Sequence, residues 1–188
     1  KVDCDSFQDA EAFLHNGGRK GRQTSIIAPG SYRINTFLFE VELTDMTMIP
    51  DNAVGIVTTA EGKPLEEGQI AGKIVDGHNK FQDADMFLQN EGLKGLQEQV
   101  ILAGSYFLNP WFAKIEMVKM TEIPIGHVGV VISYVGAEGV DLSGVEFKHG
   151  NIVSKGSKGV WAEPLGPGKY PINPYIMKVE MVPTTNLV

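Results

Sequence analysis

The sequence predicts a β-rich α+β protein made of small tandem units, each with one short helix and several short antiparallel strands. Three observations carry that expectation. The first is an internal repeat. Phe7-Gln8-Asp9-Ala10 returns as Phe81-Gln82-Asp83-Ala84, an offset of 81 − 7 = 74, and residues 7–62 match residues 81–136 without a gap at 25 of 56 positions. A partial third copy follows at 168 − 104 = 64, where residues 95–124 match 159–188 at 10 of 30 positions. The second is punctuation by Gly/Pro turns at the same place in every copy. The third is period-2 alternation of apolar residues, the mark of a half-buried strand. The units are expected at 1–74 and 75–146, with 147–188 opening a third, variant unit.

Each full unit opens on a helix. In residues 6–14, Phe7, Ala10, Phe13 and Leu14 share one face, with Asp5 or Ser6 expected as N-cap and Gly17-Gly18 as the stop. The second copy offers Asn79 as cap, Phe81, Ala84, Phe87 and Leu88 as the face, and Gly92 as the stop. Strands are expected at 24–27 and 99–102. A turn follows, in which Gly30, Gly104 and Gly168 supply a positive φ. Alternating strands are expected at 37–43, 111–117 and 175–181. Each unit closes on an Ile-Pro turn and a β-branched strand, Val54-Gly55-Ile56-Val57-Thr58 and Val128-Gly129-Val130-Val131-Ile132, whose glycine marks a bulge or a close backbone approach. The third copy lacks the helix, so residues 137–158 read as a longer hairpin or loop.

Composition bounds function. Hydrophobic content of 43% and charged content of 21% suit a core-forming, soluble chain. A net charge of −7, with dispersed Lys and Arg, argues against nucleic acid and anionic lipid as direct partners. The single cysteine, Cys4, allows no internal disulfide. No apolar run approaches the ~18 residues that span a bilayer. A start at Lys1 is read as an excised piece of a longer protein.

Two stretches carry a resemblance. Ile123-Pro124-Ile125-Gly126-His127-Val128-Gly129-Val130-Val131, followed by Leu165-Gly166-Pro167-Gly168-Lys169-Tyr170-Pro171-Ile172-Asn173-Pro174, resembles the opening of a Band 7 (SPFH) domain, the superfamily of stomatin, prohibitin and flotillin. The Phe-Gln-Asp-Ala helix with its Gly-Gly stop is similar to an N-terminal extension of some bacterial flotillin-like proteins. The tandem units resemble, more weakly, the repeats of the major vault protein. The resemblance implies a compact α+β fold in a membrane-associated scaffold that self-assembles and binds other proteins, on the cytoplasmic face, with anchoring outside this soluble fragment.

No polar constellation is copied with the unit, so no catalytic, cofactor-binding or metal residue is assigned and no cofactor is expected. Asp9 and Asp83 read as charges complementing a helix dipole. His15, His78, His127 and His149 do not repeat; His15 aligns with Gln89 and His127 with Ala53. Asn35, Asn109 and Asn173 recur after the turn and are expected to bond local backbone. Gln23 and Gln97 also recur. Gly72-Lys73 lacks a phosphate-loop pattern. The exchange of Leu38 and Phe39 for Phe112 and Ala113 suggests packing between units. The leading expectation is a non-catalytic scaffold. The alternatives are a vault-like shell repeat and a hydrolase or ligand-binding domain with its site between units.

Overall fold

The computed structural model describes residues 2–143 and 152–184. Over these residues the chain is β-rich, with two short helices, α1 (Ala10–His15) and α2 (Ala84–Gln89). The expected unit boundaries follow the sequence repeat, and strand pairing runs across them. Strand β1 (Thr47–Ile49) pairs antiparallel with β4 (Gly104–Tyr106). Strand β2 (Ala53–Thr59) lies between β5 (Ala113–Lys119) and the short β3 (Gly95–Leu96). The end of one sequence copy thus folds with the body of the next, and residues 47–119 form the first folded module.

The second module repeats the plan one step on. Strand β6 (Thr121–Ile123) pairs with β11 (Gly168–Tyr170), and β7 (His127–Ser133) pairs with β12 (Met177–Pro183) over seven residues. The other edge of β7 takes β10 (Ser157–Trp161), which carries β8 (Ala137–Glu138) and β9 (Ile152–Val153) in parallel. The expected hairpin at 137–158 is thus three short strands, with residues 144–151, including His149, outside the described residues.

The strand β2 is an interior one. Six of its seven residues are buried, Thr58 alone being exposed. Gly55 exchanges backbone hydrogen bonds with Ile101 at 2.8 and 3.0 Å, and Gly129 does the same with Leu165 at 2.8 Å each way. A Cβ at Gly55 would lie 2.6 Å from Ile49 and 2.7 Å from Ile101. The crowding at this glycine comes from side chains folded over the strand, in place of the expected bulge or close backbone approach. Around β2 gather Ile49, Val57, Phe81, Ala84, Phe87, Ile101 and Phe112, all buried.

Both helices start later than expected. Asp5, Ser6 and Phe7 have φ of 47°, 55° and 67°, and Asn79, Lys80 and Phe81 have 45°, 54° and 66°. Three successive left-handed non-glycine residues are costly, yet both copies keep them. The turn they make carries Asp9 N–H to the Cys4 carbonyl (3.1 Å) and Asp83 N–H to the His78 carbonyl (3.0 Å), and Phe81 ends buried in the core. Asp5, Ser6 and Asn79 therefore belong to the turn. Asp9 and Asp83 are the N-caps, accepting from Ala12 N–H (2.8 Å) and Met86 N–H (3.0 Å). The left-handed position after the helix is Gly17 in one copy and Glu91 in the other. Gly18 and Gly92 are glycines for another reason: any Cβ would collide with the ring of Phe13 or Phe87.

Three expected strands do not form. Residues 24–27 and 37–43 carry no strand, and of 99–102 only Ile101 bridges, to Gly55. Gly104 and Gly168 have positive φ (149° and 156°), while Gly30 does not. The exchange of Leu38-Phe39 for Phe112-Ala113 serves packing within a copy and not the expected packing between units, since each version sets one ring on its own helix anchor: the half-buried Phe39 on Phe13 (5.0 Å) and the buried Phe112 on Phe87 (5.3 Å).

Replacing Gly55 with Ala is expected to cost roughly 1–3 kcal/mol through overpacking against Ile49 and Ile101, and Asp83→Ala about 1 kcal/mol through loss of the cap. Urea denaturation measures both, and a wild-type midpoint for Gly55→Ala would remove β2 from the centre of the fold.

Candidate functional site

Two of the recurring asparagines, Asn109 and Asn173, lie at the junctions between copies. Each Asn-Pro or Asn-Thr turn uses its asparagine twice. The Oδ1 atoms of Asn35, Asn109 and Asn173 accept from the N–H two residues on, in Phe37, Trp111 and Tyr175, at 3.0, 2.9 and 3.0 Å. This is the expected local bond. The Nδ2 atoms do something sequence reading did not find. Asn109 donates to the carbonyls of Gln23 (2.9 Å) and Thr24 (3.0 Å), and Asn173 donates to the carbonyl of Gln97 (3.2 Å). Each buried asparagine thereby ties its module to the preceding copy. The signal was present in the repeat, because Gln23 and Gln97 recur at an offset of 74 and Asn109 and Asn173 recur at an offset of 64.

Those glutamines are staples for the loops being held. Gln23 Nε2 donates to the Arg19 and Gly21 carbonyls (2.7 and 2.8 Å), and Gln97 Nε2 to the equivalent Leu93 and Gly95 carbonyls (2.7 and 2.9 Å). Gln97 makes one further bond, to Thr59 Oγ1 in β2 at 3.0 Å.

Side chains reinforce the junctions. The Arg22 guanidinium stacks 2.9 Å from the centre of the Trp111 ring, a cation–π contact. Thr24 and Ser25 donate to the two carboxylate oxygens of Asp85 at 2.5 and 2.6 Å. At the next junction Tyr175, which aligns with Trp111, donates to the Glu116 carboxylate at 2.9 and 3.0 Å. That hydrogen bond and the adjacent negative charge raise the phenol above its ordinary value, because ionising it would set two anions together. Glu98 is also raised, by burial, against the pull of Lys73.

The scattered histidines have separate settings. His78 is buried: its Nδ1 accepts from Phe81 N–H (2.7 Å), its Nε2 faces Gln99 Oε1 (3.1 Å), and its ring packs on Phe81 and Phe87. At offset 74 its counterpart is Cys4, also buried. His15 is exposed at the end of α1, and His127 begins β7. Among the described residues no group of three His, Cys, Asp or Glu side chains could hold a metal ion. Gly72 N–H donates to the Leu96 carbonyl (2.7 Å), and its carbonyl accepts from Glu98 N–H (2.9 Å). An open depression of about 450 Å³ lies beside Ser133, Glu138 and Lys158, and one of about 220 Å³ lies at Ser25, Asp83 and Asp85. Both are shallow. No described helix is long and apolar enough to cross a membrane.

No protein-family model matches the chain, and neither a curated protein nor a solved structure does.

Asn109→Asp and Asn173→Asp keep the turn acceptor and remove the donor, so each should destabilise the chain by about 1–3 kcal/mol, while Asn35→Asp at the surface should stay within ~0.5 kcal/mol. Equal losses at all three sites would show that the turn, and not the tie, is what matters. In a tyrosine-resolved NMR titration Tyr175 should ionise above the usual tyrosine range and fall back toward it in Glu116→Gln. The sign is fixed: stability from this bond is present below the ordinary phenol value, with Glu116 ionised, and is lost as pH rises through the raised one.

Proposed function

We propose that the chain is a scaffold of the flotillin-like Band 7 type: a non-catalytic, membrane-associated protein of the cytoplasmic face that works by self-assembly and by binding other proteins. The observation that carries this reading is what the copies preserve. Asn109 and Asn173 spend their donors fastening one copy to the next, Gln23 and Gln97 staple the loops that are held, and the polar groups at the junctions are held by one another. Asp85 is engaged by two hydroxyls and Glu116 by a phenol. A junction of that kind transmits position along an array. A hydrolase or ligand-binding site between units would need facing carboxylates in a cleft, and the residues gathered there are organised differently.

A shell-forming array of the vault kind draws support from a specific feature, the one-way order of the ties from each module back to the copy before it. Against it, β5 and β12 lie in separate sheets, so among the described residues no continuous sheet edge runs from module to module. The flotillin-like scaffold is therefore the preferred reading.

Cells producing the full-length protein should yield it in the membrane fraction, and gentle detergent extraction should release complexes of many subunits by native mass measurement. A monomer confined to the soluble fraction would overturn the proposal.

A further inference from the structure

We propose that residues 21–45 are an open acceptor for a further segment of the β1–β2 type: a short strand, an Ile-Pro turn and a Val-Gly-Ile-Val or Val-Gly-Val-Val strand supplied by another repeat unit. The inference stands on strand register alone and holds whether or not the Band 7 reading does.

Three stretches of the first copy have no strand partner among the described residues, and their counterparts in the second copy all pair with one segment. In the second copy, β3, β4 and β5 all pair with the continuous stretch 47–59. Their counterparts at offset 74 are residues 21–22, 30–32 and 39–45, and none is in a strand. The third copy agrees, since β11 and β12 pair with 121–133 at the same relative register. Residues 39–45 thus have the sequence of a strand paired twice elsewhere, with no β partner among the described residues.

Side-chain exposure follows the same pattern. Phe37 is 99% exposed where its counterpart Trp111 is 49%, and Leu43 is 94% exposed where Met117 is 52%. Tyr106 is buried, its hydroxyl donating to the Leu102 carbonyl at 2.9 Å, while Tyr32 is half-buried. Gln97 reaches Thr59 in β2, while Gln23 bonds only within its own loop. The rest of the acceptor is already built. Phe7, Phe13 and Phe39 form an aromatic cluster with centroids 5.0 to 5.8 Å apart, and the Asn35 turn is closed.

The occupant follows from the chemistry. A second folded copy of this chain has no free segment to offer, because 47–59 and 121–133 are each already paired within it. A lipid surface is a poor match for a stretch that carries Glu40, Glu42 and Asp45 on a chain of net charge −7. Strand addition satisfies exposed backbone groups and covers the apolar side chains together. In the register of β2 with β5, Glu40 would lie opposite the occupant's equivalent of Thr58, so a basic residue there should strengthen pairing.

Hydrogen–deuterium exchange on the intact chain tests this. A synthetic peptide of residues 46–60 should slow exchange of residues 39–45 at least about tenfold, and its Gly55→Val version should not. Thr58→Lys in the peptide should tighten binding over Thr58→Glu by roughly twofold to fivefold. If the free peptide binds too weakly to see, a fusion placing a second copy of residues 46–75 ahead of Val2 supplies the same strand at high effective concentration, and protection in the fusion supports the proposal equally. Unchanged exchange at 39–45 with both peptide and fusion overturns it. So does protection by phosphatidylglycerol vesicles with none from either strand source.

Discussion

The fold depends on one strand type, the Val-Gly-Ile-Val or Val-Gly-Val-Val run, placed at the centre of a module and paired along both edges. In β2 nearly every residue is buried, so Val54, Ile56 and Val57 each contribute on the order of 1.5–3 kcal/mol of burial. Both edges are spoken for: β5 covers one, and Ile101 with β3 covers the other. Glycine at position 55 lets Ile49 and Ile101 close over the strand. None of this is local. Between Thr59 and Ala113, which face each other across the ladder, the chain runs out through a loop, the left-handed turn and α2 before it returns. Closing that excursion costs entropy that grows only slowly with length, and the buried strand offsets it.

What the second module changes shows which parts of the plan are necessary. Its sequence lacks the Phe-Gln-Asp-Ala helix, yet β7 keeps its β12 ladder and its Leu165 bridge. Trp161 stands where Gln97 stands in the first module, at offset 64, and its indole donates to the Ser157 carbonyl at 3.1 Å, the equivalent of the bond from Gln97 to Leu93. Gly136 approaches the Gly156 carbonyl as Gly62 approaches that of Gly92. The loop contacts survive replacement of the residues that make them. The apolar cluster contracts to Val131, Val153 and Trp161 with Leu165, Met177 and Val179 against it, so the helix enlarges the core around the strand without being required for the strand to pair.

Much of this was legible in sequence, and the misses have physical causes. The repeat offset, the strands at 54–58 and 128–132 and the local bonds of the asparagines could all be read, because each rests on a short-range pattern. The N-caps were misplaced because three consecutive left-handed residues, Asp5-Ser6-Phe7 and Asn79-Lys80-Phe81, have no propensity signature: glycine is the usual mark of that backbone, and these turns have none. The strand expected at 37–43 shows the opposite failure. Its alternation is sound, but alternation states only that a residue could lie on a half-buried sheet, and a strand exists only where a partner does. The junction was hidden for a related reason. Asn109 reads as a turn residue, which it is, and its second bond spans 86 positions to Gln23, a separation no local pattern encodes.

Folding out of phase with the sequence repeat has a mechanical consequence. If each sequence copy formed its own domain, neighbouring domains would be joined by a linker and could unfold or reorient independently. Here the end of one copy supplies the central strand of the module completed by the next, and Asn109 and Asn173 then fasten that module to the loop before it. A copy therefore belongs to two modules at once, and loosening either disturbs the other. Nearest-neighbour coupling of this sort is what makes stacked repeats behave as one cooperative object. It also gives the array a direction, because the donor of the central strand always precedes the acceptor.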